Sequence, residues 1–287
     1  MVFDSSQDLL KPYKEADSTF IYEELKKDLG PLNTIKAKIA NMFNTQVASR
    51  WLYEREQGKI NGKALARVKA GHLNVFKEKY STRDTDTAVS YLVDWSGSMG
   101  GTKIKAAMQA VVMFLETLKI TKIKSEVLSY TTGKNFYREA YGAMGFRGSY
   151  GRVEQLVTWI LKDFNEPFNH KVKRRISNYK EAHLCENCDP DNVKIAYERL
   201  KARPEKRKIL FVLSDGVVAN KGDSLVGKAY YKKLAKQIEK EGIVEVVGIG
   251  LFDTEIKKFW KNTIFVKESG TGLAKAIFTE LRKIFRV

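Results

Sequence analysis

The chain has 287 residues, 43% of them hydrophobic and 30% charged, enough for a substantial core and unlike a disordered segment. No apolar run approaches the ~20 residues that span a bilayer, two cysteines make no disulfide framework, and the opening residues lack the basic and apolar regions of a signal peptide. These features predict a cytoplasmic protein without membrane insertion, while a net charge of +17 marks a surface that attracts polyanions, nucleic acid among them.

Residues 1–85 read as a helical N-terminal segment. Ile35, Ile39, Met42, Phe43 and Val47 recur at helical spacing between Gly30-Pro31 and Glu56-Gln57-Gly58. A short helix over Gly62–Ala70 follows. From Asp86 to residue 287 strand and helix alternate, as one domain. Ala88–Val93 is an apolar strand, and Ile104, Ala107, Met108, Val111, Val112, Leu115 and Leu118 trace one helical face after it. Val127–Tyr130 is a second strand, 134–150 an irregular excursion or hairpin, Val153–Leu161 a helix and Val193–Leu200 another. Ile209–Leu213 is a strand, and Val226, Tyr230, Leu234 and Ile238 mark a helix. Strands at Ile243–Ile249 and Thr263–Val266 and a closing helix through Leu273, Ile277, Leu281 and Ile284 complete the pattern. Such alternation implies an α/β fold with a doubly wound, mainly parallel sheet.

The chemistry concentrates at two strand ends. Asp94-Trp95-Ser96-Gly97-Ser98 follows the first strand, and Ser214-Asp215-Gly216 follows Ile209–Leu213. In an open α/β sheet the carboxyl ends of the strands line the ligand crevice. Asp94 and Asp215 converge if their strands are neighbours, and two close carboxylates repel unless one is protonated or a cation neutralises them. Asp-x-Ser-x-Ser offers hard oxygen donors with little charge, which suits Mg²⁺, with Mn²⁺ as the alternative. Trp95 and Met99, in the same loop, are candidate partner contacts; for Trp95 packing against the following helix is the other reading.

This arrangement resembles the von Willebrand factor A fold, whose metal-ion-dependent adhesion site uses these positions. Phe136-Tyr137-Arg138-Glu139-Ala140, Pro204-Glu205-Lys206-Arg207-Lys208-Ile209-Leu210 and Ser214-Asp215-Gly216 further resemble the C-terminal region of CobT, a cobaltochelatase subunit. So does Glu54-Arg55-Glu56-Gln57-Gly58-Lys59-Ile60 through Ala64–Val68, which extends the likeness over residues 30–287. The resemblance implies that Ser96 and Ser98 bind the metal directly and that Asp94 and Asp215 hold its waters. A threonine that many A domains add is missing from Glu186-Asn187-Cys188-Asp189-Pro190. Asp189 stands in for it as a ligand, or caps the helix that follows. The family implies a non-catalytic subunit of a cobalamin-biosynthesis complex, assembled with a ring-forming AAA+ ATPase and a large subunit that inserts cobalt. The extended N-terminal region and acidic stretch of family members have no counterpart in this basic chain. A nucleic-acid-binding A domain is the alternative.

His183-x-Cys185-x-x-Cys188 has too few partners for structural zinc and reads as loop residues beside the metal site. The sequence carries no phosphate-binding Gly-x-x-x-x-Gly-Lys-Ser/Thr loop, no Gly-x-Ser-x-Gly elbow and no His-Glu-x-x-His, so no catalytic set is evident.

Overall fold

The computed structural model describes residues 8–33, 50–71, 73–80, 86–119, 121, 123–135, 154–218 and 224–285. In chain order the elements are β1 (Leu9–Pro12), α1 (Phe20–Asp28), β2 (Arg50–Arg55), β3 (Lys59–Ile60), β4 (Phe76–Tyr80), β5 (Thr87–Asp94), α2 (Thr102–Leu118), β6 (Lys124–Asn135), β7 (Glu154–Lys162), α3 (His170–Ser177), α4 (Asp189–Lys201), β8 (Arg207–Ser214), α5 (Ser224–Glu241), β9 (Glu245–Leu251), β10 (Thr263–Val266) and α6 (Thr271–Phe285). They divide into two units, Met1–Phe43 with Thr87–Val287, and Asn44–Asp86.

The larger unit is built on a seven-stranded sheet in the order β1-β7-β6-β5-β8-β9-β10. Only the β6–β7 pair is antiparallel. Every residue of β5 is buried, as expected for a strand covered on both faces. Its odd-numbered residues Val89, Tyr91 and Val93 point into a layer with α1, α2, α3 and α6. Ala88 and Leu92 point the other way, toward Val193, Ala196 and Leu200 of α4 and Leu234 and Ile238 of α5. Period-two alternation thus divides the apolar run between two cores. On the first face Tyr91, Phe114 and Phe211 stack, with centroids 4.8–5.3 Å apart. Each such pair adds about 0.5–1.5 kcal/mol beyond the area it buries.

The chain leaves β5 through α2 on one face and returns to β8 through α4 on the other. That reversal opens a crevice at the carboxyl ends of β5 and β8, where a doubly wound sheet binds its ligands.

Two expectations need correction. The first is the helical lead-in. Leu9–Pro12 is an edge strand, parallel to β7, and its neighbour Tyr13 donates its N–H to the Ile160 carbonyl at 3.1 Å. In the smaller unit β2, β3 and β4 form an antiparallel sheet in the order β2-β4-β3, and the expected helix at Gly62–Ala70 is present as a 3-10 helix. The aromatic residues of Arg50-Trp51-Leu52-Tyr53 and Phe76-Lys77-Glu78-Lys79-Tyr80 are the strand signal there. The helix expected through Ile35–Val47 lies outside the described residues.

The second is Val153–Leu161. Glu154–Lys162 is a strand paired antiparallel with β6, not a helix. Leu156, Val157, Trp159 and Ile160 mimic helical spacing, but β-branched and aromatic residues suit a strand, and pairing with β6 decides the outcome. The excursion over 134–150 falls almost wholly outside the described residues. The basic run Lys171-Val172-Lys173-Arg174-Arg175 lies in helix α3, capped by the Asn169 side chain accepting from the Val172 N–H.

Candidate metal centre

The site begins where β5 ends. The Ser96 N–H donates to Asp94 Oδ1 at 2.8 Å, and the Ser214 hydroxyl donates to Asp94 Oδ2 at 2.9 Å. One carboxylate therefore ties the loop after β5 to the end of β8. The Ser96 and Ser98 hydroxyl oxygens lie 3.1 Å apart, with Ser96 buried and Ser98 exposed. Next to Ser214, Asp215 is fully buried; its Oδ1 accepts the Val217 N–H at 3.1 Å. Gly216 follows at φ +77°, where a Cβ would stand 2.5 Å from the Ile256 backbone nitrogen, so the turn requires glycine.

The third carboxylate comes from α4. Asp189 is 1% exposed and accepts the Tyr130 hydroxyl on Oδ1 at 2.5 Å. Tyr130 sits opposite Asp94 in the β5–β6 register. The cap position belongs to Cys188, in the left-handed region at φ +44°, and Asp189 is the first residue inside the helix. The capping alternative is thereby removed. Asp189 Oδ2 is buried and has no hydrogen-bond partner among the described residues, a costly state for a carboxylate oxygen unless a ligand meets it.

Burial pushes the Asp189 carboxyl well above the usual range, and the charges of Asp94 and Asp215 push it further against the pull of the Tyr130 hydrogen bond. Burial likewise raises Asp94, to about 6, with Asp215 adding to the shift while hydrogen bonds from Ser96 and Ser214 oppose it. The Asp215 charge thus acts on both, and the Asp94 charge on Asp189.

Two residues at the site were not anticipated. Tyr130 could be found only through strand order, which puts β6 beside β5. Lys103 Nζ lies 2.8 Å from Asp215 Oδ2. Its signal is a lysine in the first turn of a helix, where the macrodipole disfavours a cation.

Trp95 and Met99 do not face a partner. Both are fully buried, and Trp95 meets Tyr13 edge to face with centroids 5.0 Å apart. The reason is the edge strand the sequence did not disclose, which brings Tyr13 across the loop. Gly97, Ser98, Gly100 and Val217 are the exposed residues around the site. The Cys185 segment braces the same loop: the Gly97 N–H donates to the Cys185 carbonyl at 2.7 Å, and the Cys185 N–H to Thr131 Oγ1 at 3.1 Å. Thr131 is thus committed to holding a loop, and Cys185 and Cys188 lie beside the site, unbridged.

Among the described residues no three His, Cys, Asp or Glu side chains sit close enough to cage a metal by themselves. The Ser96 and Ser98 hydroxyls are needed to complete a donor set. Two hydroxyls with buried carboxylates nearby, one of them carrying an unpartnered oxygen, are all-oxygen donors, which fit a small hard dication such as Mg²⁺ better than zinc.

A family model described as the VWA domain of the cobalamin biosynthesis protein CobT matches residues 75–287. The chain belongs to the CobT VWA-domain family. The match begins after residues 54–68, whose likeness to CobT it does not cover. Solved structures similar to this chain include the pilus adhesin SpaC of Lactobacillus rhamnosus GG, at 13% identity and TM-score 0.46 over 70% of this chain and 29% of that one. The conserved hypothetical protein BatB of Bacteroides thetaiotaomicron is 12% identical at TM-score 0.43, over 70% of this chain and 100% of its own. Proximal thread matrix protein 1 of the mussel byssus, with a zinc-occupied MIDAS motif, is 14% identical at TM-score 0.42 over 70% and 46%. The chain therefore spans under a third of the adhesin's length.

Much of the basic surface is engaged internally. Lys173 pairs with Glu23 at 2.9 Å, Arg175 with Glu166 at 2.7 Å and Arg207 with Glu245 at 3.0 Å. The Lys208 ammonium donates to the Lys201 carbonyl at 3.0 Å. Part of the positive charge of α3 and β8 is thus answered within the fold. No described helix is long and apolar enough to cross a membrane.

Proposed function

We propose that this chain is a non-catalytic, Mg²⁺-dependent interaction subunit that works in the cytoplasm, docking on a ring-forming AAA+ ATPase in a cobaltochelatase-like complex. Two features support the reading: membership of the CobT VWA family, from a cobalamin biosynthesis protein, and a donor set that fits a hard dication. The single observation that carries it is the buried Asp94 carboxylate, which ties the Ser96 loop to Ser214 at the strand-end crevice and leaves the Ser96 and Ser98 hydroxyls 3.1 Å apart beside it.

In this reading Ser96 and Ser98 bind the ion through their hydroxyls. Asp94 and Asp215 orient its waters, and Asp189 contributes the oxygen that lacks a partner. The ion supplies a Lewis-acidic position that an oxygen from another protein can complete. Mn²⁺ satisfies the same donors. Ser98 is exposed, so the site opens outward there, and Gly97, Gly100 and Val217 form the surrounding contact surface. Cobalt insertion belongs to a separate large subunit, with cobalt as its cargo.

The test is co-precipitation of the full chain with its cognate AAA+ ATPase in Mg²⁺ and in EDTA, using wild type and Asp94→Ala. The reading expects retention only with wild type in Mg²⁺, and a cooperative melt for the variant. Retention of wild type in EDTA would contradict it. Binding to nucleic acid instead would fall steeply with added salt, as counterion release requires.

A further inference from the structure

A third carboxylate changes the charge arithmetic of the site. Asp94 and Asp215 are fully buried and Asp189 is 1% exposed, so ionised together they concentrate three negative charges with little solvent to screen them. A dication neutralises two. Lys103 answers the third: its ammonium donates to Asp215 Oδ2 at 2.8 Å from a side chain only 27% exposed. This lysine is not placed to favour its helix, because the first turn of α2 presents the positive end of the macrodipole. Its neighbour on the same helix, Lys105, pairs instead with Asp28 at 2.8 Å. Lys103 is thus a cation the fold directs to Asp215, and the unpartnered Asp189 Oδ2 marks where a second positive charge belongs.

We propose that Lys103 is the monovalent counter-ion of the metal site, cancelling one carboxylate so that a bound dication brings the whole to zero net charge. The inference rests on the metal-site reading above and sharpens it. A neutral loaded site still accepts an anionic oxygen ligand from a partner. With Asp189 present and Lys103 removed, the loaded site would carry one negative charge and repel an incoming carboxylate. Lys103 thereby restores the preference for acidic partners that a third carboxylate would otherwise weaken.

The test uses the full chain at pH 8 as wild type, Lys103→Met, Asp189→Asn and the double variant, titrated with Mn²⁺ by calorimetry. Because each substitution changes the charge beside the ion by one unit in a poorly screened site, Lys103→Met should bind Mn²⁺ about tenfold tighter and Asp189→Asn about tenfold weaker, with the double variant within about threefold of wild type. Acetate added to the Mn²⁺-loaded protein should reduce water-proton relaxation in wild type and in the double variant but not in Lys103→Met. In EDTA, Lys103→Met should melt below wild type and Asp189→Asn should restore it. An unchanged Mn²⁺ affinity in Lys103→Met, an acetate effect that survives in it, or a double variant that fails to return would overturn the proposal. If wild type bound no Mn²⁺, the metal-site reading would fall. The EDTA melts would then decide separately whether Lys103 balances the carboxylates, and a Lys103→Met variant as stable as wild type would remove that role too.

Discussion

Replacing Trp95 with alanine separates the two readings of this residue. The side chain is fully buried between the loop after β5 and Tyr13, which it meets at 5.0 Å. Removing a buried tryptophan costs about 3–5 kcal/mol through lost transfer energy and the cavity left behind. The edge-to-face partner adds about 0.5–1.5 kcal/mol that alanine cannot recover. Against this, the indole N–H is buried without a hydrogen-bond partner among the described residues, so its deletion relieves about 1–3 kcal/mol of desolvation. The net expectation for Trp95→Ala is a loss of about 2–4 kcal/mol. At about 2–4 °C per kcal/mol for a domain of this size, that lowers Tm by roughly 4–16 °C. Trp95→Phe keeps most of the ring contact and drops the orphaned donor, so its loss should stay below about 1.5 kcal/mol. Equilibrium urea unfolding followed by far-UV circular dichroism measures both. A Trp95→Ala variant that loses under about 1 kcal/mol at unchanged m-value, yet no longer binds a partner, would refute the packing argument and restore Trp95 as a surface contact.

Two further outcomes follow from the buried carboxylates. Because Asp94 is raised to about 6, the metal-free folded chain holds a proton there that the unfolded chain has already released. Its stability should therefore fall as pH climbs from about 4 toward 6. A cation replaces that proton, so the rise in Tm on adding Mg²⁺ should be small at pH 5 and near its full size at pH 8; an equal rise at both would contradict the assignment. Tyr130→Phe removes the hydroxyl that donates to Asp189 Oδ1 and should cost about 1–3 kcal/mol in EDTA, the penalty for leaving a buried acceptor unsatisfied. Urea unfolding checks it, and a loss under about 0.5 kcal/mol would mean that the phenol does not support the carboxylate.

The sheet and its two acidic strand ends were legible in the residues themselves. Ala88–Val93 and Ile209–Leu213 are near-continuous apolar runs, as a parallel strand covered on both faces requires, and an aspartate closely follows each. Their adjacency, seen in the Val93–Leu213 register, is what brings Asp94 and Asp215 together. Glu154–Lys162 misled because a few apolar residues fit helical and strand spacing alike, and a distant strand settles the matter. Leu9–Pro12 is too short to carry a periodic signal, although it brings Tyr13 onto Trp95 and so inverts the role of Trp95. Asp189 was visible as an acid before a proline, but ligand and cap differ by one helical position, which backbone geometry fixes and composition does not. Lys103 and Tyr130 act across strands and helices, through pairings that no local window contains.

The most direct measurement is an anomalous difference map from crystals of this chain soaked in Mn²⁺. The account predicts one strong peak bonded to the Ser96 and Ser98 hydroxyls, with the carboxylates of Asp94, Asp189 and Asp215 gathered around it and Lys103 still on Asp215. A map without density between those hydroxyls, or with manganese held elsewhere by other side chains, would contradict it.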